Sequence, residues 1–346
     1  MTTIQTHRPG VYSTYTTVPL YYSGARDTVA GVVAKGTQAV EGVLEISSVQ
    51  ELQERLPQGS VLRTMVQLLL QAGVGKVLAV SLAPDAALTA YQAGFALLEQ
   101  QTLGGIACDS SDTQVLAALK AHVLSCSESQ RERLAFCGAT PTAAAALAQG
   151  LNCERCILVT PAVAPEGEES HPGYAAAAAL GQVLALEQAN STLNGAVLTG
   201  IQALDSALTD AQVESLIPAG VWCLEAVGGS VETIRAVTTR TKTGGANDGT
   251  FLPVNTILII DQVMTTLRGM LQERLKGRQN NAVTQESVAS QVTVELSRMV
   301  EQGLLVSYQR PKVSVSSQDS GILVVELSFA IAHVIDQIYI SAQIQV

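Results

Sequence analysis

The side chains that most often carry chemistry are few in this sequence, and the clearest group is Cys153 and Cys156, spaced as Cys-x-x-Cys. A structural zinc site needs four ligands, and the sequence has no second pair of this spacing. A thioredoxin-type pair opens a helix, whose amino terminus lowers the thiol pKa, whereas this pair leads into the strand-like run 157–160. The sequence therefore predicts structural thiols here, with neither a metal-binding nor a redox function.

The sequence contains near matches to motifs for phosphate binding and nucleophilic catalysis, but each lacks a residue that the motif requires. The run 70–77 has Leu70 where a phosphate loop needs its first glycine and Val77 where it needs a hydroxyl. The run 228–232 ends in glutamate where a nucleophile elbow needs glycine. The acidic run 166–169 is flanked by prolines, which predicts a solvated loop and not a metal site. The histidines stand in four unrelated contexts, at His7, His122, His171 and His333. The sequence predicts no catalytic, cofactor-binding or metal-ligating residue, no cofactor, and a protein that is not an enzyme.

The composition indicates a large aliphatic core and a surface poor in charge. Hydrophobic residues make up 47% of the 346 residues, charged residues 14% and aromatic residues 4%. A charge-poor surface is often one that partner subunits cover. The net charge of −10 argues against a nucleic-acid binder, and no apolar run is long enough to predict a transmembrane helix. With no apolar export signal near the start, we expect the six cysteines to be reduced and mostly buried.

Short apolar runs alternate with helical stretches between about residues 28 and 240. The predicted strands are 77–81, 105–108, 134–137, 156–160 and 221–227. The predicted helices are one opened by a capping box at 48–51, then 60–72, 86–100, 113–126, 142–149, 174–187 and 209–216. This alternation predicts an α/β fold with a mostly parallel sheet flanked by helices.

A smaller α+β domain is predicted after the Gly/Asn/Asp-rich loop 241–252. It comprises an amphipathic helix over 255–278, a helix over 287–302 that Gly303 ends, and strands at 304–308, 312–316 and 322–331. The resulting domain prediction is an N-terminal arm over 1–20, an α/β domain over 21–245, a C-terminal domain over 246–337 and a C-terminal arm over 338–346.

Both ends of the chain have the pattern of extended strands. In the C-terminal arm, apolar residues alternate with polar ones to the last residue, at Ile338, Ile340, Ala342, Ile344 and Val346. The N-terminal arm begins with a turn and continues with β-branched and aromatic residues, from Arg8, Pro9 and Gly10 to Val11 and Tyr12. A terminal strand must pair with a sheet edge, either in its own domain or in a neighbouring subunit. We expect exchange between subunits, with folding back onto the same chain as the alternative.

The ordered set of segments resembles the tail sheath proteins of contractile phages and related injection machines. The segments are 8–12, 152–155 running into 157–161, 216–221, 234–241, and the helix over 255–281 with Asp261 and Arg268. The resemblance covers nearly the whole chain, which is short for the family and lacks the outer domains of longer members.

The resemblance implies a structural subunit that forms stacked six-fold rings around a tail tube and contracts to drive the tube through the host envelope for genome ejection. It implies contacts with other copies of the chain, the tail tube, the baseplate and the tail terminator, and none directly with nucleic acid or membrane. Its location would be the virion tail, assembled in the bacterial cytoplasm. The sheath of a phage-like bacteriocin or secretion-type machine is one alternative.

The basic end of the 255–278 helix is the candidate tube-facing surface, with Arg268, Arg274, Lys276 and Arg278. Its alternative interpretation is a solvated helix end favoured by the helix dipole. An α/β enzyme or small-molecule binder is the alternative of a different class, and it predicts a pocket at the carboxyl ends of the strands.

Overall fold

A computed structural model describes residues 29–275, 281–319 and 322–333, with the side chains at 274 and 275 excepted. The strands are β1 (Val29–Lys35), β2 (Leu44–Ile46), β3 (Lys76–Leu82), β4 (Gly105–Cys108), β5 (Leu134–Gly138), β6 (Cys156–Thr160), β7 (Val163–Pro165), β8 (Ile201–Leu204), β9 (Trp222–Val227), β10 (Ser230–Arg235), β11 (Lys242–Thr243), β12 (Ala246–Asn247), β13 (Leu305–Tyr308), β14 (Lys312–Val315), β15 (Leu323–Glu326) and β16 (Phe329–Ile331). The helices are α1 (Val49–Arg55), α2 (Val61–Gln71), α3 (Leu88–Leu97), α4 (Thr113–Glu128), α5 (Pro141–Leu151), α6 (Pro172–Leu184), α7 (Asp210–Leu216), α8 (Val254–Leu275) and α9 (Ala282–Glu301).

The central sheet has eight strands in the order β10-β9-β6-β5-β4-β1-β3-β2. All pairs from β9 to β3 are parallel, whereas the edge strands β10 and β2 pair antiparallel. The α/β fold class predicted from the sequence is confirmed. Strand β1, which lies inside the sheet between β3 and β4, was not among the predicted strands.

Helices cover both faces of this sheet, and successive strand residues enter two different cores. In β3, Val77 and Ala79 pack with α2 and α6, whereas Leu78 and Val80 pack with α3 and α4. This is the period-two alternation of a strand buried on both sides. Helix α6 contains five consecutive buried alanines and approaches α2 closely, since a Cβ on Gly181 would lie 2.6 Å from the Ala72 Cβ.

Side-chain caps set the helix starts. Ser48 accepts a hydrogen bond from the Glu51 N–H, as the predicted capping box requires, but the Glu51 carboxylate accepts from Ser47 instead of from the Ser48 N–H. A full capping box occurs at the start of α7. Helix α9 begins at Ala282, five residues before the predicted start, because Asn281 caps it through the Thr284 N–H.

The C-terminal domain has two long helices and a two-stranded ribbon. The apolar face of α8 enters the same core as α2 and α6, through residues such as Val254, Ile259 and Val263. Strand β13 pairs with β16 and β14 with β15, and a bond from Gln309 N–H to Ser328 C=O joins the two pairs into one antiparallel ribbon. Helix α9 packs on one side of this ribbon.

Candidate functional site: the domain junction and the C-terminal ribbon

The turn at 152–156 joins the α/β body to the segment that leads into the C-terminal domain. Asn152 ends α5 in the left-handed conformation, with φ of 38°, which turns the chain toward β6. Its side-chain oxygen accepts hydrogen bonds of 3.0 Å from the N–H groups of Thr241 and Lys242. One side chain thereby fixes both the end of a helix and the position of a segment about 90 residues away.

Thr239 completes this attachment through both its backbone and its side chain. Its hydroxyl accepts from the Cys153 N–H at 3.1 Å and donates to the Cys153 carbonyl at 3.0 Å. Its own N–H donates to the Cys156 carbonyl at 2.9 Å. Because Thr239 is fully buried, loss of these partners would leave polar groups unsatisfied in the core.

Ion pairs reinforce the junction on both sides of the turn. Arg155 donates two hydrogen bonds of 2.7 Å to the carboxylate oxygens of Asp261. Arg268 donates to both oxygens of Glu132, at 2.6 and 3.2 Å. Asp261 and Arg268 are seven residues apart, or about two turns, so they share one face of α8. Arg155 and Glu132 lie just before β6 and β5, so α8 crosses the amino ends of these neighbouring strands.

Burial and charge act against each other in these pairs. Burial is the largest single influence on Arg155 and would lower its pKa, but the hydrogen bonds to Asp261 together with the nearby carboxylate charges raise that pKa. Burial is likewise the largest influence on Glu132 and would raise its pKa, but the bonds from Arg268, a backbone bond and the nearby arginine charges together hold that pKa below its ordinary value. The side chains of Arg155 and Asp261 are only 11% and 18% exposed, so removing either partner would leave the other charge largely desolvated.

A third pair joins the turn to the loop before the C-terminal domain. Arg240 donates to Glu154 at 2.8 Å, and its guanidinium lies 5.8 Å from the centre of the Phe251 ring. The three pairs were not predicted from the sequence. The charges at Asp261 and Arg268, two turns apart on a largely apolar helix, are the signal that could have indicated them.

The candidate assembly residues of the sequence analysis lie mostly outside the described residues. These are Arg8, Pro9, Gly10, Val11 and Tyr12 of the N-terminal arm, Ile338, Ile340, Ala342, Ile344 and Val346 of the C-terminal arm, and Lys276 and Arg278 with the side chain of Arg274. Of the tube-facing candidates, the structure places the side chain of Arg268, which pairs with Glu132 and is 25% exposed. The assignments stay predictions.

The C-terminal ribbon is the described surface best suited to bind another strand. Among the described residues, neither of its edges pairs with a further strand. Apolar side chains are exposed along it, including Val306 at 64% and Ile322 at 50%. An unpaired, partly apolar edge is a template for strand addition.

The carboxyl edge of the central sheet is where an α/β enzyme would hold its ligand, at the switch point between β1 and β4. There Asp109 accepts hydrogen bonds from the Tyr91 hydroxyl at 2.7 Å and the Lys35 N–H at 2.9 Å. The start of α6 packs directly onto these strand ends, since a Cβ on Gly173 would lie 2.9 Å from the Asp109 Cα. In this part of the described structure, α6 occupies the ligand position that the enzyme alternative requires.

The other side chains capable of chemistry, among the described residues, make structural contacts. His171 accepts the Gly173 N–H at the start of α6, and the His122 ring lies 5.8 Å from the Phe95 ring. Burial, with a smaller contribution from nearby Arg133, lowers the pKa of His122 to about 4. A groove of about 270 Å³ between α4 and α5 is lined by small and aliphatic residues and Lys120, whose ammonium donates to the Leu151 carbonyl. The described residues contain no group of three or more side chains able to hold a metal ion. Within the same residues, each helix is too short or too polar to cross a membrane.

Comparisons with known proteins agree on one class. The family model for the phage tail sheath C-terminal domain matches residues 246–345. A chain of the anti-feeding prophage baseplate superposes with a TM-score of 0.74 at 15% identity, covering 99% of this chain and 100% of that one. The sheath tail protein of Desulfitobacterium hafniense gives a TM-score of 0.68 at 12% identity, covering 93% and 100%. The contracted PVC sheath of an extracellular contractile injection system gives 0.70 at 15% identity, covering 99% of each chain. No curated protein matches the chain in sequence.

The chain therefore has the fold of contractile tail sheath proteins along nearly its whole length. Over residues 246–345 the sequence also matches the family model of the phage tail sheath C-terminal domain. The resemblance stated from the sequence is confirmed.

Proposed function

We propose that this protein is the structural subunit of a contractile sheath, which polymerises as stacked six-fold rings around a tail tube and contracts to drive the tube through a cell envelope. The carrying observation is the sheath-family domain at 246–345, which contains a ribbon with unpaired edges and exposed apolar residues in its described part. The work of contraction would come from the free-energy difference between two packings of the same subunits. No bond chemistry is required of the chain.

The arms supply the connections between subunits. The alternating residues 338–346 add as a strand to the ribbon of a neighbouring copy, so that main-chain hydrogen bonds give affinity and the apolar side chains fill its exposed surface. The N-terminal arm reaches a different neighbour, and each ring is thereby tied to the next. Such a mesh stays connected while the subunits rearrange.

The sheath assembles on partners at its inner surface and its ends: the tail tube, the baseplate and the tail terminator. On α8 and beyond, Arg274, Lys276 and Arg278 would face acidic groups on the tube. Exposed charge pairs are worth only about 0–1 kcal/mol each and are screened by salt. Many such pairs around a ring hold the tube during assembly and still release it on contraction.

Electron microscopy of the purified full-length protein tests the proposal, with tubes or cogwheel-like rings as the expected result. Ile340→Asp places a charge on the apolar side of the C-terminal arm and should abolish these assemblies while leaving the circular dichroism spectrum unchanged. Gln343→Asp adds the same charge on the polar side of the same arm and serves as the matched control. Discrete monomers from the unmodified protein, at any salt concentration, would overturn the sheath function.

The device can be a phage tail that ejects a genome or an injection machine that carries none. The solved structures with this fold include an extracellular contractile injection system and the anti-feeding prophage, and the matching family model is that of phage tail sheaths, so both possibilities are candidates. Neighbouring capsid and terminase genes would identify a virion tail assembled in the bacterial cytoplasm. Their absence from a complete locus that encodes a tube and baseplate would identify an injection machine.

A further inference from the structure

The two cysteines are the first and last residues of a tight turn at the junction. A hydrogen bond from the Cys156 N–H to the Cys153 carbonyl at 3.2 Å closes the turn. A turn of this kind holds its end Cα atoms within about 7 Å, which is the range that a disulfide can span. The Arg155 N–H donates a hydrogen bond to the Cys153 sulfur at 3.4 Å, and such a donor favours the thiolate.

Cys153 differs in this respect from the other cysteines of the chain. The neighbouring Cys156 thiol and the Arg155 N–H lower the pKa of Cys153, although burial opposes them. Burial raises the pKa of Cys108, Cys126, Cys137 and Cys223. No helix begins at this turn, so the donor to the Cys153 sulfur is the Arg155 N–H within the turn and not a helix amino terminus.

We propose that Cys153 and Cys156 form a reversible dithiol that hydrogen peroxide oxidises to an intrachain disulfide at the domain junction. The Cys153 thiolate attacks one peroxide oxygen and the O–O bond breaks, giving a sulfenic acid and a hydroxide that takes up a proton to form water. The Cys156 thiol then attacks the sulfenic sulfur, and the departing hydroxyl takes the thiol proton and leaves as water. Two thiols and one peroxide give one disulfide and two waters, with two electrons passing from sulfur to oxygen.

Access to the pair is through the turn itself. Cys153 is 2% exposed, but its neighbours Asn152, Glu154 and Arg155 are partly exposed, so the sulfur lies one layer of side chains below the surface. Hydrogen peroxide is small enough to reach such a position during local opening, whereas a bulky alkylating reagent is excluded. Oxidation should therefore be slow compared with that of an exposed thiolate and still selective among the six cysteines.

The disulfide would alter the attachment of the C-terminal domain. A disulfide holds its sulfurs about 2.0 Å apart, so forming it draws the two free cysteine side chains together and displaces the turn between them. The Cys153 N–H and carbonyl are the groups that bond the Thr239 hydroxyl. Oxidation is therefore expected to loosen Thr239 and speed amide hydrogen exchange over 239–242.

The test treats the reduced full-length protein with hydrogen peroxide under native conditions and maps cysteines by mass spectrometry. The expected result is a 153–156 disulfide that dithiothreitol reverses, formed at least about tenfold faster than any oxidation of Cys126. Cys156→Ser should stop at a Cys153 sulfenic acid that dimedone traps, and Cys153→Ser should leave Cys156 unreacted. Cys126→Ser is the matched control and should oxidise as the unmodified protein does.

Several specific results of this oxidation experiment would contradict the proposal. Reaction first at Cys108, Cys126, Cys137 or Cys223, irreversible oxidation of Cys153 with Cys156 present, or no reaction before the protein unfolds would each overturn the proposal. Disulfide formation with unchanged hydrogen exchange over 239–242 would overturn the effect on the junction. None of these results depends on sheath assembly.

Discussion

Replacing Arg155 with methionine is the sharpest test of how the C-terminal domain is held. The change removes two charge-assisted hydrogen bonds of 2.7 Å and leaves the Asp261 carboxylate, 18% exposed, without its guanidinium. Removing one partner of a buried ion pair costs about 3–5 kcal/mol, and partial exposure places this case near the lower value. Methionine preserves most of the apolar stem, so little of the loss would come from packing.

The assay is urea denaturation of the full-length protein, followed by circular dichroism at a concentration below that of assembly. We expect Arg155→Met to lower the free energy of unfolding by about 3 kcal/mol. The double variant Arg155→Met with Asp261→Leu should recover much of it, because apolar replacement of both partners removes the desolvation cost. A single variant within about 0.5 kcal/mol of the unmodified protein would refute the view that this pair fixes the junction.

Three further predictions concern the same region. Because folding lowers the pKa of Glu132 below its ordinary value of 4.5, the ionised carboxylate stabilises the fold above pH 4.5, and this stabilisation is lost as the pH falls through the folded pKa. The free energy of unfolding, measured from about pH 6 downward, should therefore decrease, and Glu132→Gln should make that decrease smaller. Asn255→Ala should cost about 1–3 kcal/mol in the same assay, because the buried amide donates to the carbonyls of Ala189 and Ser191 at 2.7 and 2.8 Å. Reversal of Arg274, Lys276 and Arg278 to glutamate should prevent assembly around a tube but spare tube-free, contracted-type sheaths; normal extended tails from that variant would show that these residues do not hold the tube.

The local pattern of apolar residues in the sequence was sufficient to predict most strands of the central sheet. The predicted strands at 105–108 and 156–160 coincide with β4 and β6, because an apolar run buried on both faces has sharp polar boundaries. The missed strand β1 contains alanine and glycine among its valines, which weakens the strand signal. The start of α9 was placed late because its first turn, with Val283 exposed, has no buried apolar face and is set by the Asn281 cap.

The junction could not be predicted in the same way. Arg155 pairs with a residue 106 positions away and Glu132 with one 136 positions away, so no local spacing joins the partners. The environment of Cys153 and Cys156 could not be predicted from the sequence either. Its Cys-x-x-Cys spacing was visible in the sequence, but the donors that lower the pKa of Cys153 come from the fold of the turn.

The packing of α8 indicates which parts of the subunit can move relative to one another in the proposed sheath. Its apolar face shares the core of α2 and α6, and its charged face is paired at the amino ends of β5 and β6. Separating the C-terminal domain from the body would expose that core and break two partly buried ion pairs, at a cost of several kcal/mol per subunit. In the contractile sheath proposed above, a transition repeated in every ring would favour the lowest-cost motion available to each copy. We therefore expect the subunit to move as one unit, with the rearrangement confined to the connections that its arms make with neighbouring subunits.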